Sequence, residues 1–192
     1  MRTVLNDLEL EKAFQKNGYV EIPFLSVSEV ENLKEQYFNL IPSSGGNIGN
    51  EDTDINSEIT YDFTFIDKNI EFKKDVFETI TKHFEPHVKK WLSEYKPIIA
   101  NYIRKKPGGG EVPLHQNWAF VDETKCTSVS IWCPLVDSDE SNGTLEVVPG
   151  SHKRFGEHRG PIVPWELEGI SQKIISDHLV ALPTKAGNAI IL

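Results

Sequence analysis

The chain is short of cysteine, of long apolar runs and of positive charge, and each shortage excludes something. Two cysteines occur in 192 residues, Cys126 and Cys133. Cys133 lies on an expected strand and Cys126 directly before its start, an odd seven residues away, so they project to opposite faces and cannot easily pair. No disulfide framework is expected, and free thiols point to a reducing, cytoplasmic setting. Neither has a neighbouring base that would make it a nucleophile, so both read as small buried hydrophobes. No stretch approaches the roughly 18 apolar residues of a membrane-spanning helix. The first residues turn acidic at once and lack the apolar core of a secretory signal, so none is expected. Twenty Lys and Arg against 29 Asp and Glu leave a net charge of −9. That balance argues against nucleic acid or an anionic membrane as partner and leaves room for a small anionic ligand in a locally basic pocket. No internal repeat is evident.

What is present is an ordinary globular composition, 39% apolar and 26% charged, at a length suited to one domain spanning 1–192. Residues 7–17 read as a helix capped by Asp7 and stopped by Gly18. Tyr19–Ile22 reads as a short strand ended by Pro23. Ser26 and Glu29 form a capping box that starts a second helix with Val30, Leu33, Tyr37 and Leu40 on one stripe. Residues 42–58 read as a long loop, either a substrate lid or a surface excursion. Tyr61, Phe63 and Phe65 alternate as in a strand. Residues 70–95 read as two helices broken near Pro86. His83 and His87 would share a face only if that helix were continuous, so they read as solvated. Beyond Pro97 the signal turns to strands: 98–105, 114–120, 127–135, 144–148, 174–182 and 189–192. A mainly helical part, 1–96, followed by a β-rich part, 97–192, is α+β by pattern.

The chemistry-bearing stretch is Pro113-Leu114-His115-Gln116-Asn117-Trp118. His115 and Asn117 are two apart, so on a strand they project from the same face. A histidine followed by an oxygen donor at that spacing is how a strand offers two ligands of one metal facet, usually completed by another histidine, with carboxylate as the oxygen donor. Around it lie Lys106-Pro107-Gly108, Val121-Asp122-Glu123, Ser130-Ile131-Trp132-Cys133-Pro134-Leu135 and the run from Asn142 through Val147-Val148-Pro149-Gly150-Ser151-His152. Over these roughly 50 residues the chain resembles the phytanoyl-CoA dioxygenase family of iron(II)/2-oxoglutarate oxygenases, the Asn142–His152 run being the most specific.

The resemblance implies several things. The fold would be N-terminal helices packed on a double-stranded β-helix, a jelly-roll. The cofactors would be Fe(II) and 2-oxoglutarate, used to hydroxylate a small organic substrate. His115 would be the first metal ligand, and Tyr102 and Trp132 would line the co-substrate pocket, unless both are core aromatics. Asn117 stands where the family has Asp. Three arrangements stay open: Asn117 binds weakly, Asp122 or Glu123 reaches in as a substitute carboxylate, or no metal binds. Asp139–Gly143 reads as a hairpin turn. His152 reads as a corner residue whose ring bonds to backbone. A zinc triad from His152, Glu157 and His158 on one short loop is too loosely held to favour. Gly187–Leu192 resembles the family strand that precedes the second metal histidine and the co-substrate arginine. The expectation is therefore a chain lacking the C-terminal strands, with an incomplete metal triad, weak or absent turnover and an unpaired strand edge prone to self-association. The alternative is a non-catalytic jelly-roll that binds a small molecule or serves as a scaffold.

Overall fold

The structure is a computed structural model that describes residues 2–46, 61–105, 107–108, 112–117, 120–155 and 167–192. The chain divides into two compact units, one made of Met1–Phe24 with Val112–Leu192 and one made of Leu25–Glu111.

The first unit begins with α1, Leu8–Asn17. The Asp7 carboxylate accepts from the Glu9 and Leu10 amides, and Gly18, at φ +84°, ends the helix by donating to Phe14 O. Glu11 reaches back to the amides of Val4 and Leu5 at 3.0 and 2.8 Å, which seats both apolar side chains in the core. Then β1, Val20–Pro23, alternates buried and exposed. It runs through Pro23 rather than stopping before it, because β1 is an edge strand and tolerates a missing donor. Three strands form a sheet in the order β1-β7-β4, where β4 is Ile131–Trp132 and β7 is Asn188–Ile191. Both pairings of β7 are antiparallel. Ala189, Ile190 and Ile191 are fully buried. The last strand is therefore central, with a neighbour on each side, and not the unpaired edge expected from sequence.

A second ladder pairs β5, Leu145–Val147, with β6, Val180–Leu182, and continues as a bridge from Ser138 to Thr184. The Asp139–Gly143 turn thus joins two segments that both pair with 180–184, so it is not the turn of a hairpin. Gly143 alone takes the positive φ there, and Asn142 instead clamps the turn through Asp139 N and Asp137 O. Between the two ladder strands lies α4, Ser171–His178. The expected strand 174–182 is helix in its first half. Ile174 and Ile175 are β-branched, but the helix buries Ile174 against Val148, and Leu114, Phe155, Leu167 and Leu179 pack around that pair. Of the strand expected at 127–135 only Ile131–Trp132 is strand, and Cys126 is exposed rather than buried. Val112–Asn117 is loop with a bend at Leu114, not strand, so the same-face argument for His115 and Asn117 does not carry over as stated.

The second unit is built on two helices, α2 (Val27–Leu40) and α3 (Ile70–Trp91). Ser26 and Glu29 make the complete capping box. Val30, Leu33 and Tyr37 of α2 are buried, as are Phe72, Val76, Ile80 and Val88 of α3. Helix α3 is continuous through Pro86, contrary to the expected break. Two hydrogen bonds to α2 straddle the proline: His83 Nε2 meets the Asn32 side chain at 2.9 Å, and His87 Nε2 meets Glu29 Oε1 at 2.8 Å. These bonds hold the helix on both sides of the backbone bond that proline removes. The two histidines are therefore interhelical ties rather than solvated side chains. The strand expected over Tyr61–Phe65 shortens to β2, Asp62–Phe63, and then tightens into a 3₁₀ turn. It pairs antiparallel with β3, Ile103–Arg104, the remnant of the expected strand 98–105. Asp67 is buried and accepts from Ser44 Oγ, Gly45 N and Asn69 N, which pins the 43–46 loop to the start of α3. The rest of the loop expected at 42–58 lies outside the described residues. Among the described residues no helix is long and apolar enough to cross a membrane.

Candidate functional site

The segment carrying the candidate ligands is anchored by Leu114, whose side chain packs on the Val148–Ile174 cluster of the first unit. The next residue, His115, is half-buried, and its Nδ1 lies 2.8 Å from the carbonyl oxygen of Pro113. A carbonyl only accepts, so Nδ1 carries the proton. In the neutral ring the lone pair is then on Nε2. That is the arrangement in which a histidine binds a metal through one nitrogen while the other donates to a backbone carbonyl. The bond arises locally, from a turn of two residues after a proline with fixed φ.

Asn117 is exposed, and its Nδ2 donates to Ser130 Oγ at 3.2 Å. Ser130 is held in turn by two backbone bonds with Leu192, at 2.8 and 3.0 Å, which extend the β4–β7 ladder by one residue. Sequence reasoning passed over Ser130. The signal was available only as position, immediately before the strand that carries Trp132.

The substitute carboxylates are differently placed. Asp122 accepts from Thr124 N at 3.1 Å and pairs with Lys125 at 2.7 Å. Lys125 first, and Thr124 second, hold its carboxyl below the ordinary range. Its backbone carbonyl also accepts from the amides of Lys125 and Cys126, so Asp122 organises its own turn. Glu123 is exposed in that turn. Trp132 lies half-buried on β4, opposite Ile190. Tyr102 belongs to the second unit. Its hydroxyl donates to Leu33 O at 3.1 Å, its amide donates to Thr64 Oγ1 at 2.8 Å, and its ring packs on Tyr37 at 5.1 Å between centroids. Burial raises its phenol above the ordinary value. His152 faces Gln15 O at 3.2 Å through Nε2, the backbone bond expected of a corner residue. Glu157 and His158 lie outside the described residues, as does Lys106. In the second unit a polar cleft of about 500 Å³ runs between α2 and α3, lined among others by Glu29, Asn32, Gln36, Lys82 and His83, and it contains none of the candidate ligands.

An iron(II) site of this type needs three protein donors on one facet. The donor chemistry fits in part: an imidazole with the correct tautomer at 115 and an amide at 117. Among the described residues no group of three His, Cys, Asp or Glu side chains comes together to hold a metal ion. They therefore offer two donors, one of them neutral oxygen, and not a complete triad.

Comparison with known proteins bears on the family and the fold. A sequence model of the family described as "Phytanoyl-CoA dioxygenase (PhyH)" matches residues 14–192. A phytanoyl-CoA dioxygenase of Arabidopsis thaliana is 46% identical over 67 residues, covering 32% of this chain and 23% of that protein. A phytanoyl-CoA dioxygenase domain-containing protein of Danio rerio is 30% identical over 113 residues, 54% of this chain and 39% of that protein. A probable alpha-ketoglutarate-dependent hypophosphite dioxygenase of Stutzerimonas stutzeri is 38% identical over 56 residues, 29% of this chain and 20% of that protein. The matched part of the chain thus spans less than two-fifths of the length of each of these relatives. Among solved structures, the non-heme alpha-ketoglutarate-dependent carbocyclase SnoK from nogalamycin biosynthesis superposes with a TM-score of 0.52 at 17% identity, over 96% of this chain and 73% of that one. That likeness concerns the fold, a mixed helix and strand architecture shared with a 2-oxoglutarate-dependent oxygenase. With a family match over nearly its whole length, the chain belongs to the phytanoyl-CoA dioxygenase family.

Proposed function

We propose that this chain is a cytoplasmic iron(II)/2-oxoglutarate-dependent dioxygenase that hydroxylates a small organic substrate, with weak or no turnover because the oxygen donor at 117 is an amide. Family membership and the fold likeness support the class. The observation that carries the site is the bond from His115 Nδ1 to Pro113 O, which presents Nε2 as a metal ligand. The strands 131–132, 145–147, 180–182 and 188–191 are read as part of a double-stranded β-helix.

In this reading His115 and Asn117 would hold iron, the first through a ring nitrogen and the second through its amide oxygen. Trp132, half-buried on β4, would line the co-substrate pocket. Iron(II), 2-oxoglutarate and O2 would supply the oxidising chemistry there: one oxygen atom would enter the substrate C–H bond and the other the co-substrate, which would leave as succinate and CO2. The chain's own contribution is to orient these donors and exclude water from them. An amide offsets none of the cation's charge, so iron is held less firmly than by a carboxylate. Weak turnover follows from that.

Succinate release from 2-oxoglutarate, measured with iron(II) over a panel of small organic acids, amines and thioesters, tests the activity. Substrate-dependent succinate that disappears in His115→Ala is the expected result. Substrate-dependent succinate that survives His115→Ala would place the site elsewhere. No succinate with any candidate would favour the second reading, a non-catalytic jelly-roll that binds a small molecule or acts as a scaffold. The amide at 117 is the feature that favours it.

A further inference from the structure

We infer that the Asn32 amide turns over as His83 gains or loses a proton, so that this tie holds α2 to α3 in both protonation states and the cleft beside it exchanges amide donors for an amide acceptor.

Both ring nitrogens of His83 face oxygen. Nδ1 lies 2.9 Å from Thr79 O in its own helix, and Nε2 lies 2.9 Å from Asn32 Oδ1 on α2. A backbone carbonyl only accepts, so Nδ1 carries a proton in any state that keeps the first bond. An amide oxygen also only accepts. With Asn32 as it stands, Nε2 therefore carries a proton too, and the ring is the imidazolium. When the ring becomes neutral the proton leaves from Nε2, because the Thr79 carbonyl is fixed in the helix and offers no donor to Nδ1. The neutral ring then needs a donor at Nε2. Asn32 holds one in the same side chain. The two ends of an amide are nearly alike in shape, so half a turn about its last bond puts Nδ2 where Oδ1 was. The tie survives with its direction reversed.

The neighbouring tie has no such freedom. His87 Nε2 meets Glu29 Oε1 at 2.8 Å, and both oxygens of a carboxylate only accept. Glu29 stays ionised, its carboxyl held down at about 2. His87 Nε2 therefore keeps its proton whether its ring is charged or neutral. Two histidines one helical turn apart are thus set to opposite neutral tautomers, Nδ1–H at 83 and Nε2–H at 87. The charged groups that share the cleft with His83 are Glu29 from α2 and Lys82 from α3, while the ring's own two partners are neutral. Asn32 lines that cleft as well. The end of its amide that is not on the ring is left to the cleft: nitrogen beside the charged ring, oxygen beside the neutral one.

The test is ¹⁵N NMR of the full chain, following the histidine rings and the asparagine side-chain NH₂ groups through the titration of His83. The Asn32 pair is assigned by its disappearance in Asn32→Leu. Neutral His83 should carry its proton on Nδ1 and neutral His87 on Nε2, and the Asn32 pair should shift with the same midpoint as the His83 ring. Urea unfolding gives a second reading. Asn32 is exposed, so Asn32→Leu should fold. It should change the urea midpoint by the same amount on either side of the titration, since the tie it removes exists in both states. A change confined to the acid side would show a tie that needs the proton, and overturns the turnover. So does a neutral His83 with its proton on Nε2, an Asn32 pair that stays still while the ring titrates, or a ring that holds one state wherever the chain is folded.

Discussion

The ring of His152 rests on the α-carbon of Gly18 so closely that a Cβ at residue 18 would lie 2.6 Å from Nδ1. The same corner supplies other bonds to the end of α1: Gly150 N donates to Asn17 O at 2.6 Å, and His152 Nε2 meets Gln15 O. The Gly-Ser-His run, the most recognisable motif in the chain, is thus a cap for the otherwise unpaired carbonyls of α1. Gly18 also needs its positive φ of 84° to end the helix. Gly18→Ala should destabilise the protein by about 1–3 kcal/mol through left-handed strain and displacement of the imidazole. Urea unfolding measures this. Adding His152→Ala should return only the steric share. An unchanged midpoint in Gly18→Ala would mean the corner does not grip α1.

Glu29 predicts an acid-sensitive joint in the second unit. Its hydrogen bond from His87, and then those from Ser26, pull the carboxyl from an ordinary 4.5 down to about 2. A carboxyl held low in the folded state adds stability that is fully present above its unfolded value and is lost as pH falls through the folded one. The loss should therefore occur between about pH 4.5 and pH 2. The side chains are 21% and 30% exposed, so solvent screening keeps the effect on the order of 1 kcal/mol. Glu29→Gln should flatten the stability profile across that window. A Glu29 carboxyl that titrates by NMR in the ordinary range would contradict the tie to His87.

Pro86 sits in a helix that continues past it. Proline is roughly 3 kcal/mol worse than alanine in a helix interior, and about 1 kcal/mol of that returns through a stiffer unfolded chain. Pro86→Ala should therefore raise stability, by about 1–2 kcal/mol once the flanking ties to α2 are allowed for. Thermal unfolding of the variant checks it. A loss of stability would mean that the proline shapes α3 in a way alanine cannot.

The two thiols should differ sharply. Burial pushes Cys133 up to about 12, while Cys126 is exposed. Thiolate is the reactive form, so iodoacetamide near pH 8 should label Cys126 and spare Cys133. Both thiols lie on the tryptic peptide 126–153, so tandem mass spectrometry of its fragments reads the ratio. Equal labelling would show that Cys133 is not sheltered beside β4.

The parts legible in the sequence were those that local chemistry decides. Asp7 and Gly18 bracket α1, and the Ser26–Glu29 box starts α2, because caps act within one turn. His115 was named as a candidate ligand because a family motif surrounds it, and its role rests on the titration below. What was not legible depends on distant partners. Pro86 reads as a helix breaker until His83 and His87 are seen bonded to α2. Ile174 reads as strand until it is seen buried against Val148. The residues at 189–191 read as an edge because nothing in their own composition reveals β1 on one side and β4 on the other. For the same reason Ser130 escaped notice: its relation to Asn117 spans a loop that periodicity does not encode.

The site itself is tested most directly by anaerobic titration of iron(II) into the chain with 2-oxoglutarate, following the metal-to-2-oxoglutarate charge-transfer band. Carboxylate is the better ligand for a hard divalent ion and offsets part of its charge. A weak band in wild type, a band at lower iron concentration in Asn117→Asp and none in His115→Ala is the expected pattern. Equal iron affinity in wild type and Asn117→Asp would assign the oxygen ligand to another residue, and a band that persists in His115→Ala would remove His115 from the site altogether.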